Sequence, residues 1–202
     1  MNLLVRVSLS GVILALASGA ADKPKFTVEP APSYPNRQTI DGVTVAADVF
    51  DTAEKARTAF GKANPYQHGV LPVLVVMRND TAKALSLTGI QLEYISPDRT
   101  KIEPTPASDV PYITGNRQRK VVQNPLPTGI PGIKGKNPLG ASEIQERAFV
   151  AKMLPPGESA HGFVYFQTVH RSGSRLFLRG LTEAASKREL FYYEIELPEA
   201  AR

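Results

Sequence analysis

Residues 70–77 read VLPVLVVM and run straight into Arg78-Asn79-Asp80-Thr81. Eight nearly uninterrupted apolar residues that stop at a turn composition describe a strand covered on both faces, because a half-exposed strand would alternate apolar with polar. Pro72 has no amide proton to give to a ladder, so it belongs near the start of that strand or on an unpaired side. Upstream, residues 39–50 (TIDGVTVAADVF) are rich in β-branched side chains around an Asp41-Gly42 turn signal, which predicts one strand or a pair. Downstream, Ile90, Leu92 and Tyr94 alternate with Gln91 and Glu93, and Pro97-Asp98-Arg99 turns the chain into a short segment at 100–104, a hairpin pattern. Three further apolar segments follow, GFVYFQT (162–168), RLFLRGL (175–181) and LFYYEIEL (190–197), each bounded by Pro, Gly or Ser. In the last, Phe191, Tyr193, Ile195 and Leu197 share one face, and Tyr192, Glu194 and Glu196 the other. Six to eight short strands with little helix predict an all-β chain, specifically a two-layer β-sandwich with one or two short helices.

The helices have their own signals. Asp51 with Glu54 has capping-box spacing, Ala53, Ala56, Ala59 and Phe60 fit one face, and Gly61 stands where a left-handed terminator is wanted. Ser142 and Gln145 repeat the spacing and predict a helical turn before the apolar stretch from Ala148 to Leu154.

The sandwich is expected to span residues 39–198. Residues 22–38 carry four prolines and little apolar periodicity, and read as an extended N-terminal segment. Residues 104–141 hold seven prolines and five glycines, together with Arg117, Arg119, Lys120, Lys134 and Lys136. That is longer than the roughly 12 to 15 residues of an ordinary structureless connection, and it reads as a basic Pro/Gly-rich insertion in a mobile loop. Residues 1–21 (MNLLVRVSLSGVILALASGAA) combine Arg6, an apolar run through Leu16 and a small-residue end, the composition of an export signal cleaved after Ala20 or Ala21. The run falls short of the roughly 18 to 20 residues needed to cross a bilayer, so no membrane span is expected.

Without the signal about 181 residues remain, enough for one domain with a sizeable core. The chain has no cysteine, which excludes disulfides, thiol catalysis and thiolate metal sites. Its net charge of +5 falls to +4 once Arg6 is removed. So small a surplus is accounted for by solubility, and no nucleic-acid partner is expected.

Two stretches carry a resemblance. One is the apolar strand into Arg78-Asn79-Asp80-Thr81 and on through Leu85-Ser86-Leu87 to Tyr94. The other is Leu154-Pro155-Pro156-Gly157-Glu158-Ser159 leading into Gly162-Phe163-Val164-Tyr165-Phe166. Together they resemble the immunoglobulin-like domains of exported bacterial proteins and lipoproteins, in which an N-x-S/T turn follows an inner strand and a P-G-E-S turn precedes a Phe-rich one. The resemblance implies an immunoglobulin-like sandwich and not an activity.

No motif points to catalysis. His68, His161 and His170 lack metal-ligand spacing, and no metal or other cofactor is expected. Ser159 is followed by His161, where a nucleophile elbow needs glycine. Glu194 and Glu196 fall on the outer face of the last strand, where solvated charge is the usual reason for a carboxylate. Asn79-Asp80-Thr81 fits a glycosylation sequon, although a turn explains it fully. Tyr165, Phe166, Phe177, Phe191 and Tyr193 are expected in the core. Arg117, Arg119, Lys120, Lys134 and Lys136 are the candidate binding residues, presented to an acidic polymer or an envelope protein, or else simply solvated. The sequence thus predicts an exported, non-enzymatic interaction or structural module of the periplasm or cell envelope. The alternative is an accessory domain or weak hydrolase acting on an envelope or extracellular polymer.

Overall fold

The computed structural model describes residues 26–113 and 137–201. Around the apolar run, β2 (Val43–Val49), β3 (Leu71–Asn79) and β8 (Ser159–Phe166) pair antiparallel, with β1 (Arg37–Ile40) outside β2. Pro72 sits at the second position of β3. Asp41 and Gly42 join β1 to β2 with φ of 48° and 78°, the paired left-handed geometry of a tight hairpin whose twist suits its strands. A second sheet stacks β5 (Gln91–Ile95) between β6 (Lys101–Ile102) and β9 (Arg175–Arg179), with β11 (Tyr193–Glu196) beyond β9. A small third sheet pairs β4 (Leu85–Ser86) with β7 (Met153–Leu154) and β10 (Thr182–Glu183). The described residues are therefore mostly β, with eleven strands in three antiparallel sheets.

Burial of β3 on both faces follows from two separate cores. Toward the second sheet point Val45, Val49, Val73, Val75, Met77 and Phe166, meeting Leu92, Tyr94, Leu176, Leu178, Tyr193 and Ile195. On the other face, Ala46, Leu74, Val76, Phe163 and Tyr165 meet Phe60 of α1 (Ala53–Phe60) and Ile144 of α2 (Ser142–Glu146), with Val110 and Leu139. Phe163 anchors this second core, with ring centroids 4.8 Å from both Phe50 and Phe60. Short helices and loops thus form a further layer over the outer face of the β1-β2-β3-β8 sheet.

That layer draws on two Pro-rich segments. Of residues 22–38, the described part from 26 onward is packed: Ala31 is fully buried, and Phe26 and Val28 pack on the second core. Of the 104–141 insertion, the described flanks are packed, with Val110 and Leu139 buried and Asn137 Nδ2 donating to Pro111 O at 2.7 Å. The physical reason is shared. A strand apolar on both faces needs cover on both, and Pro-rich segments supply it without any periodic pattern.

Each helix begins one residue away from its expected cap. Thr52 Oγ1 accepts from Lys55 N at 3.2 Å and so caps α1, while Asp51 Oδ2 accepts from Ala201 N at 2.9 Å and holds the C-terminal tail. Ser142 lies inside α2, with Ala141 at its N-cap. Edges are closed as well. Residues 147–149 run along β8, with Phe163 N donating to Arg147 O at 2.7 Å and Phe149 N to Phe163 O at 2.9 Å. The open side of β11 is met by side chains from β1 and the residue before it: Asn36 Nδ2 donates to Glu196 O, and Gln38 Oε1 accepts from Glu194 N, both at 2.8 Å. Such capping removes the template that a bare strand edge would offer to another chain.

Candidate functional site

Arg117, Arg119, Lys120, Lys134 and Lys136 lie outside the described residues. What the described residues place in the open is the outer face of the β11-β9-β5-β6 sheet. Because Leu176, Leu178, Tyr193, Ile195, Leu92 and Tyr94 point into the core, their neighbours point out. The register then sets Glu196, Arg175, Ile95 and Lys101 in one row across the four strands. Glu194, Phe177 and Glu93 form the next row, and Arg179 and Gln91 the third. Tyr192, just before β11, is 56% exposed and leans on Phe177 with ring centroids 5.4 Å apart.

At one end of this array is a cleft of about 480 Å³, lined by Ile95, Ser96, Pro97, Arg99, Lys101, Gly173, Arg175 and Glu194. Its cations differ in how they are held. Arg175 Nη1 donates to Glu194 Oε1 at 2.8 Å, and Glu196 lies 3.7 Å from Nη2. That hydrogen bond and the negative charges raise the Arg175 pKa. Lys101 Nζ is 3.1 Å from Glu93 Oε2 and also stands 5.7 Å over the Phe177 ring. The Arg99 guanidinium has no hydrogen-bond or ion-pair partner among the described residues. Arg99 occupies the left-handed region at φ 66°, in a turn closed by Arg99 N donating to Ser96 O at 2.8 Å. The same turn is tied by Asp98, which accepts from Ser96 Oγ and Thr100 N and whose pKa those bonds lower.

The residues of catalytic type are placed apart from this face. His170, 4% exposed, has Nε2 at 2.8 Å from Pro198 O, so Nε2 carries a proton, and Nδ1 at 3.2 Å from Tyr94 Oη. Tyr94 Oη donates to Ser174 Oγ at 2.6 Å, and Ser174 Oγ donates onward to Arg171 O at 2.6 Å. A serine whose proton is committed to a carbonyl inside a closed network is a loop tie, not a nucleophile. His161 and Ser159 line a separate cleft of about 500 Å³ beside Glu29, Arg78 and Asp80, where Arg78 Nε pairs with Asp80 Oδ1 at 2.7 Å. His68 stands in a surface turn at 65–68. No three His, Cys, Asp or Glu side chains among the described residues are grouped as metal ligands would be. No helix among the described residues is long and apolar enough to cross a membrane.

Asn79 is buried at the heart of the two quoted turns. Its Nδ2 lies within 3.1 Å of the carbonyls of Lys83, Leu154 and Pro155, and its Oδ1 accepts from Thr81 N and Oγ1 at 3.0 and 2.7 Å. The backbone completes the joint, with Gly157 N donating to Asn79 O at 2.7 Å and Asn79 N to Glu158 O at 3.1 Å. The amide is therefore a clamp between the 79–81 and 155–159 turns. Of the expected core aromatics, Tyr165, Phe166 and Tyr193 are buried, Phe177 is half-buried and Phe191 is 66% exposed.

No family model matches the chain, and no curated protein matches it significantly. Among solved structures it is similar to a crystal structure of a conserved hypothetical protein from Bacillus anthracis, at 10% identity and a TM-score of 0.31, covering 79% of this chain and 92% of that one.

Proposed function

We propose that this chain is an exported, non-enzymatic binding module on an immunoglobulin-like sandwich, working in the periplasm or cell envelope. The observation that carries the reading is the distribution of cover. The sheet of β1, β2, β3 and β8 is packed on both faces, and the β11-β9-β5-β6 sheet on its inner face. Among the described residues nothing covers the fourth face, which bears an ordered array of charged and aromatic side chains around a cleft. Groups with chemical potential elsewhere, Tyr94, His170 and Ser174, are committed to bonds that hold loops. Glu194, which lines the cleft, and Glu196 both engage Arg175. Export rests on the 1–21 leader, and the immunoglobulin-like assignment on the joined 79–81 and 155–159 turns.

The test is retention on isolated cell envelope. The exported chain should lack its first 20 or so residues by intact mass, bind envelope material without releasing soluble fragments, and lose that binding when Arg175 and Tyr192 are replaced by Gln and Ala. Retention of Met1 in the exported protein would contradict the export reading. Release of soluble fragments would favour the hydrolase alternative instead.

A further inference from the structure

We infer that the cleft at the 96–100 turn holds one phosphate group, with Arg99 as its free donor and Lys101 and Arg175 beside it. The inference rests on the binding-module reading and names the ligand of that site. Arg99 from the turn, Lys101 from β6 and Arg175 from β9 line the same cleft of about 480 Å³, so a small ligand inside it meets all three without reaching along the sheet. Glu194, the one carboxylate in that lining, accepts a hydrogen bond from Arg175, and Lys101 is paired with Glu93. The Arg99 guanidinium has no partner among the described residues. What the cleft has to offer is therefore a planar fork of N–H donors, flanked by the remaining protons of an ammonium and a second guanidinium. A carboxylate brings two oxygens to such donors, whereas a phosphate ester brings three, one for each side chain.

The surrounding charge limits the ligand to a single group. Arg99, Lys101, Arg175 and Arg171 stand against Glu194, Glu93, Glu196 and the exposed Asp98. Asp98 accepts from Ser96 Oγ and Thr100 N and lies 3.8 Å from Arg171 Nη1. Equal numbers of the two signs leave no long-range pull, so a polyanion gains nothing from its added charge. The ligand is held by direct bonds to the lining.

At φ 66° Arg99 stands in the left-handed region that favours glycine, so Arg99→Gly removes the guanidinium and relieves the turn in one step. The experiment is amide chemical-shift titration of the full exported chain with inorganic phosphate, acetate and tripolyphosphate. Phosphate should shift residues 96–101, Gly173 and Arg175, bind more tightly than acetate, and be matched but not exceeded by tripolyphosphate. Arg99→Gly should weaken phosphate about tenfold, as the loss of one charge-assisted pair implies, while unfolding at the same or a higher temperature. Arg179→Gln, on the same face but outside the lining, should change nothing. No phosphate binding, acetate as tight as phosphate, tripolyphosphate much tighter, an undiminished Arg99→Gly variant or equal weakening by Arg179→Gln would each overturn the proposal. None of these results touches the module reading, which stands or falls on envelope retention. Given phosphate binding, retention on phosphatidylcholine vesicles carrying phosphatidate places the group on a lipid and its absence on a soluble ester; both uphold the proposal.

Discussion

Asn79 shows how one buried amide joins two distant pieces of sequence. Replacing it with Ala strands the carbonyls of Leu154 and Pro155 and the amide of Thr81, and should cost about 2 to 4 kcal/mol. Asn79→Asp keeps the shape but turns the donor face into a carboxylate oxygen aimed at three carbonyls, so it should be no more stable than the Ala variant. Urea denaturation of both variants checks this; a wild-type midpoint for the Asp variant would show that the amide is not the clamp. Glu183 gives a prediction in pH. Its carboxylate accepts from Ser186, Arg188 and Lys83, and those bonds lower its pKa from 4.5 to about 2. Because the folded pKa is depressed, the stabilisation is full above pH 4.5 and is lost as the pH falls toward 2. Glu183→Gln should therefore flatten the acid side of the stability curve over that interval. An unchanged slope would mean that the network contributes nothing to folding.

Among the elements, those whose signal is local were legible in the sequence. The unbroken apolar run of β3 announced cover on both faces, and Asp41-Gly42 announced the hairpin. Elements fixed by distant partners were not. Alternation predicts a last strand from Phe191, yet Leu190 N donates to Leu181 O at 2.7 Å and holds the chain against a neighbouring turn before β11 begins at Tyr193. Phe191 is left outside as a result. At α1 the cap falls one position on, at Thr52, while Asp51 holds Ala201, a contact across the chain that no local spacing encodes. The helices of the third layer carry local signals, but what they and the Pro-rich stretches cover does not, since nothing in such a stretch names its partner. Gly162 makes that layer testable: a Cβ there would stand 2.5 Å from Phe149 Cα and 2.6 Å from Phe149 N. Gly162→Ala should push the 147–149 segment off β8 and cost about 2 kcal/mol or more, read as a lowered urea midpoint. A variant as stable as wild type would mean that this segment does not seal the strand.

For the whole molecule, the cleft beside Arg99 was not legible as a site, because its residues come from three separate hairpins and strands and meet only through sheet register. Arg117, Arg119, Lys120, Lys134 and Lys136, which lie outside the described residues, were legible as candidates because clustered charge is visible in one dimension and a two-dimensional grid is not. If the open face of the β11-β9-β5-β6 sheet does the binding, as proposed, amide chemical-shift mapping of the full chain with solubilised envelope polymer tests it directly. Shifts confined to residues 95–101, β9 and the Tyr192–Glu196 stretch, with the polymer recovered uncut, are the expected result. Shifts centred on Arg78 and His161, shifts spread evenly over both sheets, or a polymer found cleaved would contradict it.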